Sequence, residues 1–84
     1  MILAFSEDDE HMNRSLLRAT LVRADRVRSF LVRTASPAGW EASEREDHRI
    51  LRQQHHSDWH RVELTLDRFT REIARLKEQG WRES

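Results

Sequence analysis

The chain has 84 residues, 37% hydrophobic and 36% charged, with fifteen basic residues balanced by fifteen acidic ones and no cysteine. A disulfide framework and a thiolate zinc site are therefore excluded, and zero formal charge removes the global argument for a nucleic-acid or membrane partner. One small domain over residues 1–84 is expected, with a core thin enough to need a partner surface.

The opening run Met1 to Phe5 falls far short of the roughly 20 apolar residues of a membrane span. It also lacks the basic region and extended apolar core of a signal peptide, so a cytoplasmic protein with no membrane partner is expected. Ser6 followed by Glu7, Asp8, Asp9 and Glu10 reads as an N-cap with acidic residues on the first helical turn. The helix so begun is predicted over about 7–34, because Leu16, Leu17, Thr20, Leu21, Ala24, Val27, Phe30 and Leu31 share one broad face at ~100° per residue.

The arginines of that segment invite a nucleic-acid reading. Between Arg14 and Thr34 there are six arginines and one acid, Asp25, a formal +5. Arg14, Arg18, Arg26 and Arg33 lie mostly opposite the apolar face, where a basic stripe can track phosphates. The acidic run upstream and the absence of any base-stacking or helix-turn-helix signature make nucleic acid the less favoured partner.

Residues 35–42 hold the only proline and one of the two glycines, Pro37 and Gly39, and are read as a connector. Ser43-Glu44-Arg45-Glu46 then matches a capping box. With no breaker before Gly80, the second helix is predicted over about 43–79, roughly 54 Å at ~1.5 Å per residue. Gly80 stands where a helix C-terminal glycine belongs.

Within this helix, Trp59, Val62, Leu66, Phe69, Ile73 and Leu76 alternate steps of three and four, the pattern of a seam packed on another helix. Antiparallel register sets Val62 to Leu76 against the polar start of the first helix, so the seam is expected to close on a second copy. The predicted fold is all-α: two long antiparallel helices forming a hairpin, assembled as a dimeric four-helix bundle. The alternative is a three-helix bundle with a break near residues 55–58 and Ser57 as N-cap.

Five histidines complete the list of chemically informative residues. His56, His60, Glu63 and Asp67 fall within an arc of ~60° on a continuous helix and form a weak candidate metal set, without a closed group of four ligands. His48 and His55 continue the apolar seam and are candidates for pH-sensitive association. No cofactor is implied, and the sequential Ser57-Asp58-Trp59-His60 does not amount to triad geometry. The expectation is a helical interaction or adaptor protein, self-associating and open to an unidentified protein partner. A nucleic-acid-binding regulator is the alternative, and a metal-binding or catalytic bundle is the least supported reading.

Overall fold

The computed structural model describes residues 15–84 and shows an antiparallel sheet backed by one helix. Its elements are β1 (Ser15–Arg23), β2 (Arg26–Thr34), β3 (Trp40–Glu46), β4 (Arg49–His56), α1 (Trp59–Glu78) and β5 (Arg82–Glu83). The strands lie in the order β4-β3-β2-β1-β5, all neighbours antiparallel. The all-α hairpin, the four-helix bundle and the three-helix alternative are thereby overturned.

The segment read as a first helix is a β-hairpin as far as the described residues extend. Leu17, Ala19 and Leu21 face α1 and Arg18, Thr20 and Val22 face away; across the pairing, Phe30 and Val32 face α1 and Leu31 and Arg33 do not. The helical stripe of Leu16, Thr20, Leu21, Val27, Phe30 and Leu31 had merged residues from both faces of a sheet. Period two with β-branched Thr20, Val22, Val27, Val32 and Thr34 is the pattern that prevails. The helix start at Ser6 to Glu10 lies outside the described residues.

The long second helix is also corrected, since its first part forms β3 and β4. Ser43 sits in mid-strand rather than at an N-cap, paired with Leu31 on one side and Gln53 on the other. The chain does break at 57–58, but between a strand and a helix. Asp58, not Ser57, caps α1, its carboxylate accepting the His60 amide at 3.1 Å.

Both hairpins turn through two-residue tips whose first residue has a positive φ, Ala24 at 54° and Asp47 at 57°. Primed two-residue turns require such a backbone, and Asx side chains tolerate it better than alanine. The Asp47 carboxylate also accepts the Val27 amide at 3.0 Å, tying the second tip to β2. Between the hairpins, the loop 35–39 includes a cis Ser36–Pro37 bond and Gly39 at φ 92°.

The core lies between one sheet face and α1. Leu21, Phe30, Val32 and Ala42 from the sheet meet Val62, Phe69 and Leu76 from the helix. At the helix end, Gly80 adopts φ 103°, its amide bonds to the Lys77 carbonyl at 3.1 Å, and the Trp81 amide reaches the Leu76 carbonyl at 3.0 Å. This pair of bonds is a Schellman motif, and it carries the expected contact between Trp81 and Leu76, both buried. It returns the chain to β1, where Arg82 and Glu83 pair with Val22 and Leu21.

Candidate functional site

A single helix covers one face of the sheet, and no element of the described residues covers the opposite face. Four cross-strand rows compose it; Arg82, Val22 and Val27 form the one at the β1–β2 tip, and three more follow. Thr20, Ser29, Arg45 and Ile50 form one row, Arg18, Leu31, Ser43 and Gln53 the next, and Ser15, Arg33, Glu41 and His55 the third. A shallow trough of about 310 Å³ runs over the middle of these rows. Its floor is small hydroxyl side chains and Leu31; its rim is arginine.

The three arginines differ in what holds them. Arg33 Nη2 lies 3.2 Å from Glu41, the one carboxylate in these rows. Arg18 donates to the Ser15 hydroxyl at 3.2 Å. Arg45 has no carboxylate within ion-pair reach among the described residues. Arg45 and Glu41 are four residues apart on β3, roughly 13 Å at strand rise, so the cations ring the hydroxyls rather than cluster. Residues 15–84 carry fourteen basic and eleven acidic side chains, whereas Glu7 to Glu10 add four acids upstream.

Of the arginines singled out in the sequence, Arg18 and Arg33 share this face. Arg26 stands apart at the hairpin tip, bound to Glu46 and, at 3.2 Å, to Asp47, and Arg14 lies outside the described residues. Arg45, Thr20, Ser29 and Ser43 were missed. Alternation along β1 to β3 was the available signal, masked by the helical reading.

The other candidates are dispersed. His56 is buried on the helix side of β4, its Nε2 3.0 Å from the Thr65 hydroxyl, whereas His60, Glu63 and Asp67 are exposed on α1. Among the described residues no three His, Asp or Glu side chains gather as a metal set. His48 is exposed at the β3–β4 tip, and His55 lies at the far end of the strand with Nε2 3.2 Å from the Ala38 carbonyl oxygen. They share no apolar seam.

The ladder on α1 faces inward. Val62, Phe69 and Leu76 are buried, Leu66 and Ile73 pack against the same core, and Trp59, though 45% exposed, meets Trp40 at a tilt, 5.4 Å between ring centres. The chain's own sheet supplies the company that the sequence reading assigned to a second copy. No described helix is long and apolar enough to cross a membrane.

A second charged group lies between the layers. Arg28, with only 13% of its side chain exposed, contacts Glu44 and stands 3.8 Å from Glu72 and 3.9 Å from Glu46, with its guanidinium 5.6 Å from the Phe30 ring centre. This network ties β2 and β3 to α1. On the outer side of the helix, Glu72 accepts hydrogen bonds from Arg75 and attracts its charge, raising that guanidinium above its ordinary pKa.

Compared with protein-family models, curated proteins and solved structures, the chain finds no match. The functional reading rests on its own residues.

Proposed function

We propose that the open face of the sheet binds single-stranded nucleic acid through the phosphodiester backbone. The observation that supports this reading is Arg18, Arg33 and Arg45 set around the hydroxyls of Thr20, Ser29 and Ser43 on a surface that no element of the described residues covers. Guanidinium groups pair with phosphate oxygens by forked hydrogen bonds, and hydroxyls complete such contacts. The rows hold no Phe, Tyr or Trp and a single imidazole, His55, so phosphate contacts that are blind to sequence dominate the reading.

The self-association expected on Trp59 to Leu76 is not carried into this reading, because those side chains already pack on the chain's own sheet. The arginine expectation is taken up here in altered form, with Arg18 and Arg33 on a sheet face rather than a helix.

Fluorescence anisotropy with labelled oligothymidine and its duplex tests the proposal. Neutralising about three phosphates of a single strand gives a slope near −2 in log K against log salt, roughly −0.7 per phosphate. Replacing Arg18, Arg33 and Arg45 together with glutamine should remove most of the binding and flatten that slope. Absence of binding at low salt, or an unchanged slope in the triple variant, would refute the reading.

A further inference from the structure

The two margins of the sheet are not alike. At one, β5 covers part of β1 through Leu21 and Val22. At the other, β4 pairs with β3 on its inner side and with no strand of the described residues on its outer side, and all of its residues but His56 are exposed. An outer edge presents main-chain N–H and C=O groups that a further strand can pair with.

Register assigns the side chains of this edge to two sides. Arg49, Arg52 and Gln54 are opposite Glu46, Glu44 and Ala42 and so lie on the side of α1. Ile50, opposite Arg45, lies on the open side, and Leu51 is the extra residue where the register shifts. Ile50 is 52% and Leu51 45% exposed, large apolar groups left in water beside an unpaired edge.

The helix forms a roof along the same margin. Arg68 reaches down to the Gln54 side-chain oxygen at 3.3 Å, and Arg52, Arg68, Glu44, Glu72 and Phe69 line a cleft of about 220 Å³ between the layers. At ~100° per residue, Arg61, Leu64 and Arg68 share this flank of α1. The carboxylates there are already engaged: Glu44 and Glu72 face Arg28, and Glu72 also holds Arg75. Arg49, Arg52, Arg61 and Arg68 have no ion-pair partner among the described residues.

We propose that the free edge of β4, roofed by the arginine flank of α1, takes up an extended acidic segment of another protein as an additional strand. The charge pattern defines the occupant. Alternate side chains of an added strand point to opposite faces, so carboxylates would face Arg49, Arg52 and Arg68 while the residues between them cover Ile50. The binding segment therefore alternates acidic and apolar residues. A second copy of β4 is a poor substitute, since residues 49–56 contain two arginines and no acid. A phosphate polymer satisfies the arginines but neither the main-chain edge nor Ile50 and Leu51.

The test uses the whole chain, ¹⁵N-labelled, and a dye-labelled peptide of about eight residues alternating glutamate and valine, the length of an ordinary strand. A peptide of the same composition with its glutamates and valines in two blocks is the control. The alternating peptide should bind about tenfold or more tightly than the blocked one and shift the amide resonances of residues 49–56. The Arg49→Glu, Arg52→Glu variant, altered at exposed positions, should lose about tenfold or more of that affinity, while the Arg18, Arg33 and Arg45 variant retains it. Equal binding of the two peptides would reduce the effect to net charge and overturn the proposal. So would no binding, unshifted β4 amides, displacement of the peptide by oligothymidine, or sedimentation showing β4 occupied by a second copy. Because the two surfaces carry different arginines, loss of nucleic-acid binding in the triple variant leaves the peptide result intact, and the reverse also holds.

Discussion

Phe30 on β2 and Phe69 on α1 meet edge to face, 5.2 Å between ring centres and 65° between planes. Both rings are 1% exposed, and they join the sheet to the helix at the centre of the core. Phe69→Ala should lower unfolding free energy by about 3–5 kcal/mol, measured by urea titration with the m-value held to its parent value. A double-mutant cycle with Phe30→Leu should return a coupling of about 0.5–1.5 kcal/mol for the ring pair. A coupling of zero would show that the rings contribute only their area.

Arg28 is the cation around which Glu44, Glu46 and Glu72 are arranged, and its Nε is buried without an acceptor. Arg28→Met should destabilise the chain by about 3 kcal/mol, because it leaves a group of half-buried carboxylates uncompensated. Adding Glu44→Gln and Glu72→Gln should recover much of that loss in thermal melts. If the single variant melts with the parent the network does not bear on stability, and if single and triple variants share the same loss the uncompensated carboxylates are not its cause.

Gly39 combines φ 92° with close packing: a Cβ there would stand 2.8 Å from the His56 carbonyl oxygen and 2.9 Å from the His55 ring. Gly39→Ala should cost at least about 1–3 kcal/mol from backbone strain, before any displacement of β4. The amides of His55 and His56 should shift most in the NMR spectrum. A neutral melt would remove the loop from the list of elements that fix β4.

At the other end of the fold, a Cβ on Gly80 would meet only the Arg23 side chain, at an ordinary contact distance of 3.5 Å. Gly80→Ala should therefore cost about 1–2 kcal/mol, the penalty of left-handed backbone alone. Trp81→Ala should cost about 3–5 kcal/mol, since it empties a buried aromatic site. Equal losses in urea titrations would mean that the turn, rather than the ring, holds β5.

The sequence disclosed the C-terminal third of the fold far better than the rest. Trp59 to Leu76 steps by three and four, and Gly80 ends the run; both signals are local and their geometry is helical. The sheet was obscured for two physical reasons. Ala24-Asp25 and Asp47-His48 turn the chain without glycine or proline, so the hairpin tips carried no breaker signal. Thr20, Val27 and Leu31, which face away from α1, completed a false helical stripe with the buried Leu21 and Phe30. The site shared that fate: Arg18 and Arg33 were visible as an exposed basic set, whereas Arg45 was hidden inside an apparent capping box. Ser43 and Glu46 fit that box by spacing, yet the serine is paired with Leu31 and Gln53 and the glutamate meets Arg26 and Arg28 on another strand.

The four strands of the meander precede α1 in the chain, and each is joined to the next by a short turn. During synthesis the hairpins can pair as they emerge, but Leu21, Phe30, Val32 and Ala42 remain bare until residues 59–81 have followed. A released fragment ending before Trp59 would therefore present a sheet with one bare apolar face. Residues 59–81 thus decide whether the apolar face of the sheet is covered.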